Sequence, residues 1–171
     1  MYLTKVRDPG GDDYRVHQYL MGIFDRQKIL FQRKGFEIDV LSERGNADSQ
    51  DVSGLVDGAG VGSTMLFTIR LNPVVTRYID GKNRRVALES NRVRCWIEEV
   101  FGKNGFTAEF AIRDEGYRRS QRSSATVTLY SVLVTGVLTV VDPDLFHSAI
   151  RKGLGHGKGM GFGLLNVFGF R

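Results

Sequence analysis

Tyr14 and His17 lie three residues apart in a segment with helical apolar spacing (Val16, Leu20, Ile23, Phe24), so both project from one side of a helix. They flank the apolar stripe and do not occupy its centre. Histidine titrates near neutrality and can take or give a proton, and the tyrosine hydroxyl is a second proton-transfer group one turn away. The same pair, bordering a core, can also do no more than satisfy hydrogen bonds. Far along the chain, Lys158 stands inside GLGHGKGMGFG, where Gly153, Gly155, Gly157, Gly159, Gly161 and Gly163 alternate with other residues. Glycine adds backbone entropy cost and no side-chain packing. Such a run marks sharp turning or close approach of the backbone to a partner, and a lysine within it points to phosphate.

The common phosphate motifs do not fit. A Walker A loop needs Ser or Thr after Gly-Lys, and here Gly159 follows Lys158; Lys152 occupies the place of the first glycine. Strict alternation also excludes G-x-G-x-x-G. Both motifs open a helix, whose positive dipole end meets the phosphate. This run closes one. Asp142 is a good N-cap, Pro143 suits the first helical position, and Leu145, Phe146, Ala149 and Ile150 form one stripe. Arg151 and Lys152 fall in the last turn, and Gly153 sits where a helix ends. An anion here would meet free amides, Lys158, Arg151 and Lys152, against the helix dipole. A small-molecule nucleotide-binding domain is therefore a weak alternative.

The other histidines add little: His147 is expected to be solvent-exposed, and His156 to be exposed in the glycine loop. Cys95 is the single cysteine among 171 residues, so neither an internal disulfide nor a cysteine zinc site is possible. No metal-ligand spacing and no cofactor motif is present. The first thirteen residues lack the apolar core of a secretion signal, and no apolar run approaches the ~20 residues of a membrane span. A reducing, cytoplasmic setting without membrane contact is expected. The net charge is +5. Residues 70–122 carry 12 basic and 7 acidic side chains, so the excess lies in the middle, and Arg outnumbers Lys 17 to 7. Arginine favours bidentate phosphate contacts and stacking on bases.

The elements that must position these residues read as follows. Residues 2–7 are a strand, a helix runs to about Phe24, and 28–33 and 36–41 are two further strands. Residues 44–62 read as linker. The second unit gives a strand at 65–71 ended by Asn72-Pro73, a helix at 89–101 and a strand at 107–113. A basic segment at 117–122, a strand at 125–141, the helix at 143–152 and a last strand at 164–168 follow. That order, βαββαβ, is the split ferredoxin-like unit. The expected fold is α+β: two tandem ferredoxin-like (RRM-like) domains, 1–62 shortened or incomplete and 63–171 carrying the glycine-rich loop 153–163. Sheets of this kind often meet RNA. A basic protein of this design could cleave RNA without metal, because RNA supplies its own 2′-hydroxyl nucleophile. One base, one acid and one cation then suffice. Tyr14, His17 and Lys158 form that set if the fold joins them.

Several segments together resemble one family. They are Met1-Tyr2-Leu3-Thr4-Lys5-Val6, Tyr14-Arg15-Val16-His17-Gln18, Ile29-Leu30-Phe31, Leu71-Asn72-Pro73, Gly136-Val137-Leu138-Thr139-Val140 with Asp142-Pro143, and Gly153-Leu154-Gly155 with Lys158 to Leu165. In that order they are similar to CasE, the CRISPR repeat-processing endoribonuclease of the type I-E Cascade complex. The resemblance implies metal-independent cleavage at the base of a repeat hairpin, leaving a 2′,3′-cyclic phosphate and a 5′-hydroxyl. It also implies retention of the mature crRNA and assembly with other Cascade subunits. Tyr14, His17 and Lys158 take the catalytic places, with the acid and base roles of Tyr14 and His17 open. Arg84, Arg85, Arg92, Arg94, Arg118, Arg119, Arg122, Arg151 and Lys152 are candidate RNA contacts, with Gly155, Gly157 and Gly159 as backbone contacts. A non-catalytic hairpin-binding subunit of the same fold is the alternative. Against the family the chain is short around residues 44–63, hence the expected incompleteness of the first unit.

Overall fold

In the computed structural model, residues 1–122 and 125–168 are described, without the side chains of Leu55 and Arg122. The first sheet contains β1 (Tyr2–Arg7), β2 (Ile29–Lys34), β3 (Glu37–Ser42) and β4 (Gln50–Asp51) in the order β2-β3-β1-β4, all neighbours antiparallel. This is the ferredoxin-like strand order. α1 (Asp13–Ile23) crosses between β1 and β2. The segment expected to be linker supplies β4 and one helical turn, α2 (Ser53–Asp57). The shortening is therefore specific: the strand order is complete, β4 is only two residues long, and no helix lies between β3 and β4.

The second sheet has β5 (Thr64–Leu71), β8 (Phe106–Arg122), β9 (Ala125–Val140) and β10 (Asn166–Phe168) in the order β10-β5-β9-β8. α3 (Ser90–Lys103) and α4 (Pro143–Lys152) complete the second βαββαβ unit, and α4 has the bounds its caps and stripe predict. Two features depart from the sequence reading. The basic segment 117–122 is not a separate piece but the far half of β8, paired with β9 along its length. A two-stranded hairpin, β6 (Val74–Ile79) and β7 (Lys82–Ala87), is inserted after β5. Its turn is Asp80-Gly81, with φ of 50° and 73°. Two consecutive positive φ values make a tight hairpin turn, and Asp-Gly is a strong signal for one.

β2 is buried on both faces, and its alternation shows why. Ile29 and Phe31 join Val16, Leu20, Phe24, Ile38 and Val40 in a core under α1. Leu30, on the opposite face, joins Leu41 and the large core of the second unit, with Leu71, Phe106, Phe146, Ile150 and Leu154. The two units thus share apolar surface across the first sheet.

Charged groups complete the seam. Asp12 caps α1 by accepting from the Arg15 amide at 2.9 Å, and its other oxygen accepts from the Gln121 amide at 2.8 Å. Asp13 is buried, with 5% of its side chain exposed. It accepts from Arg118 Nε and a terminal nitrogen at 2.8 and 2.7 Å, and from Arg33 at 3.2 Å. Arg33 also holds Asp8 at 2.6 Å. The far half of β8 reaches α1, and a bulge interrupts its register between Asp114 and Gly116. The extra residue is Glu115, which meets Arg70 at 2.6 and 3.0 Å and the Ser131 hydroxyl at 2.7 Å. Burial alone would raise the Glu115 carboxyl, but Arg70 and Ser131 outweigh it and hold it down at about 2.

Two outcomes follow. Asp13→Ala should destabilise the protein by on the order of 3 kcal/mol, because it leaves Arg33 and Arg118 without their shared acceptor; denaturant unfolding measures this. The Glu115 carboxylate contributes stability in full above its ordinary 4.5 and loses it as pH falls toward 2. Melting temperature against pH should therefore slope in that window, and Glu115→Gln should flatten the slope.

Candidate active site at the seam between the two units

α1 presents Tyr14 and His17 toward the second unit, one turn apart. Val16 and Leu20 are fully buried on the neighbouring stripe, which fixes the rotation of the helix. His17 is half-buried and lies parallel to Phe31 of β2, with ring centroids 6.1 Å apart and planes at 17°. Its Nδ1 is buried and finds no partner in the protein. Burial pushes the imidazole pKa below its ordinary 6.5. A second proton would leave a buried N–H without an acceptor, which acts in the same direction. His17 therefore rests neutral at neutral pH.

The glycine run meets this pair from the other unit. Gly153 ends α4 with φ of 70°, packed so closely on Leu30 that a Cβ there would lie 2.8 Å from its methyl carbon. Lys158–Met160 form a single 3₁₀ turn between left-handed Gly157 and Gly161. Five of the six glycines have positive φ, and Gly159 is the exception. Gly159 faces His17: a Cβ built on it would lie 3.8 Å from both Cε1 and Nε2 of the ring. Backbone conformation thus accounts for five glycines, and the sixth brings main chain beside the imidazole. Lys158 Nζ donates to the Lys152 carbonyl at 2.7 Å, which closes the loop on the end of α4. Burial, then the charges of Lys28 and Lys152, lower the Lys158 pKa.

These groups line one cleft of ≈ 480 Å³ with Gln18, Asn72, Arg85, Val127 and Leu129. Among the described residues, no carboxylate is in the lining. His156, exposed as expected, has its pKa lowered by burial and by Arg85 and Lys158. The local field is positive, and it suits an anion. A neutral base, a hydroxyl and an ammonium around a positively biased cleft can move a proton and stabilise charge on a phosphate.

The remaining candidates divide. Arg85 joins the cleft, as do Gly157 and Gly159. Arg84 is exposed on β7 with a loose 3.7 Å contact to Asp80. Arg92 and Arg94 are exposed on α3; Arg94 lies 4.7 Å over the Phe110 ring. Arg118 is committed to Asp13, and Arg151 pairs with Asp57 at 2.9 Å. Arg119 and Lys152 are exposed, Gly155 lies outside the cleft lining, and the Arg122 side chain lies outside the described residues. His147 is half-buried against Phe146, not solvent-exposed as expected, because its ring leans on the α4 stripe. Sequence reasoning gave no role to Asn72, which is 1% exposed with Oδ1 unpartnered in the protein. Its place at the end of β5, before Pro73, was the available signal.

Among the described residues, no helix is long and apolar enough to cross a membrane. The chain is 28% identical over 120 residues to a Thermus thermophilus protein named CRISPR-associated endoribonuclease Cse3; the match spans 62% of this chain and 56% of that protein. It superposes on a structure of CRISPR endoribonuclease Cse3 bound to 19 nt RNA with a TM-score of 0.80, at 21% identity over 99% of this chain and 100% of the other. The CRISPR-associated protein Cas6e from Escherichia coli K-12 gives 0.78, at 22% identity over 98% of each chain. A family profile described as CRISPR associated protein matches residues 3–168. With the tandem ferredoxin-like fold and the motifs in their places, the chain belongs to this CRISPR-associated family, in its CasE branch.

Proposed function

We propose that this protein is an endoribonuclease that cleaves CRISPR precursor RNA at the base of the repeat hairpin. The observation that supports it best is the cleft itself, where Tyr14 and His17 of one unit meet Lys158 and the Gly159 backbone of the other. His17 is the base: neutral at rest, it takes the proton from a ribose 2′-hydroxyl. The freed oxygen attacks the adjacent phosphate and gives a 2′,3′-cyclic phosphate. Lys158 stabilises the charge on the phosphorane, and Tyr14 delivers a proton to the departing 5′-oxygen. No metal enters these steps, since RNA carries the nucleophile and the cations come from the protein. The names of the similar proteins, with RNA bound in one structure, agree with this reading. Retention of the product hairpin and assembly with other Cascade subunits belong to the same proposal.

His17→Ala should lower cleavage of a cognate hairpin by about 10²–10⁴-fold with binding nearly unchanged. Cleavage should persist in EDTA; arrest by EDTA would refute the metal-free route. Binding by the unaltered protein without any cleavage would assign it instead as a non-catalytic hairpin-binding subunit. Because the base form of His17 is required, the rate should be full at neutral pH and fall as pH drops through a pKa below 6.5. A rate that rose on acidification would make His17 the acid.

Lys158→Met should slow single-turnover cleavage by about 10²-fold while affinity changes less. An equal loss in affinity and rate would assign Lys158 to binding alone.

A further inference from the structure

A second cavity lies beside the cleft, between α4, α2 and the ends of β2 and β3. It measures ≈ 260 Å³. Its floor includes the core residues Leu30 and Leu41. Its rim carries Lys28, Arg151, Ser53 and Glu43. An apolar floor with two cations at the edge suits a flat ring attached to a phosphate, and the size admits one such group. Glu43 adds a carboxylate that can meet the polar edge of the ring, while the Ser53 hydroxyl accepts from the Met1 ammonium at 2.6 Å.

One hydrogen bond and one charge interaction relate this cavity to the reacting groups. Arg151 adjoins Lys152, whose carbonyl accepts from Lys158 Nζ at 2.7 Å. Lys28 lines the cavity and its charge is also felt at Lys158. A chain of phosphates leaving the cleft would therefore pass Lys28 and the end of α4, and the next base would face the cavity. We infer that this cavity holds one unpaired base of the RNA strand that flanks the scissile phosphate. This rests on the proposal that RNA is cleaved in the cleft.

The test uses uncleavable hairpins, with 2′-deoxy at the attacking nucleotide, that are blunt, extended on the 5′ side or extended on the 3′ side. One extension should tighten binding to the unaltered protein by about 10-fold, the scale of one stacked base. Ser53→Phe, which fills the mouth of the cavity, should erase that gain and leave blunt-hairpin affinity as it was. Arg151→Ala, which removes an exposed side chain whose carboxylate partner, Asp57, is also exposed, should reduce the same gain. Equal affinity for all three RNAs, or a gain that survives both substitutions, overturns the inference. Failure to bind even the blunt hairpin would instead refute the RNA reading of the cleft.

Discussion

The carboxylate of Asp13 holds the two halves of this protein in register. It belongs to the first turn of α1, and it is claimed by Arg33 from its own unit and Arg118 from the other. Burying such a set gains little net stability, because desolvation offsets most of the attraction. What it fixes is alignment. With Asp12 bound to the Gln121 amide beside it, the start of α1 is pinned at two points to the long β8–β9 hairpin. The helix then has neither rotation nor slide to spare, which sets the positions of Tyr14, the next residue, and of His17, one turn further along.

Two groups of cations differ in their surroundings. Arg33, Arg70 and Arg118 have carboxylate partners, and their charges are spent inside the structure. Lys158 and Arg85 line a cleft that holds no carboxylate among the described residues. Net charge cannot separate these groups, although only the second attracts an anionic ligand. The direction of the Lys158 shift follows: partly buried and crowded by Lys28 and Lys152, the ammonium is relieved when negative charge arrives.

Much of this was legible locally. The bounds of α4 follow from Asp142, Pro143 and Gly153, and the pairing of Tyr14 with His17 follows from helical spacing. The ferredoxin-like order of the second unit could be read from its periodicities. The hairpin β6–β7 could have been read too, since Asp80-Gly81 is a local signal, but Asn72-Pro73 suggested that strand structure ended there. The rest is long-range. Asp13 and Arg118 are 105 residues apart, and nothing near either tells a paired arginine from one free to meet RNA. β4 has two residues and pairs only because β1 offers an open edge. The glycine run announced close approach without saying to what, and only the fold separates Gly159, which faces His17, from the five glycines used for turning.

The bulge at Glu115 sets the phase of everything beyond it. Successive residues of a strand face opposite sides, so the extra residue decides that Arg118 and Ser120 turn inward while Tyr117 and Arg119 face solvent. The arm between the bulge and α1 is thereby subject to a parity rule. A change of one residue exchanges the two faces and offers Asp13 an outward-type residue where Arg118 belongs. A change of two keeps the facing but carries Arg118 two strand positions along, away from Asp13. The length of this arm is therefore fixed by the Asp13 contact as well as by parity.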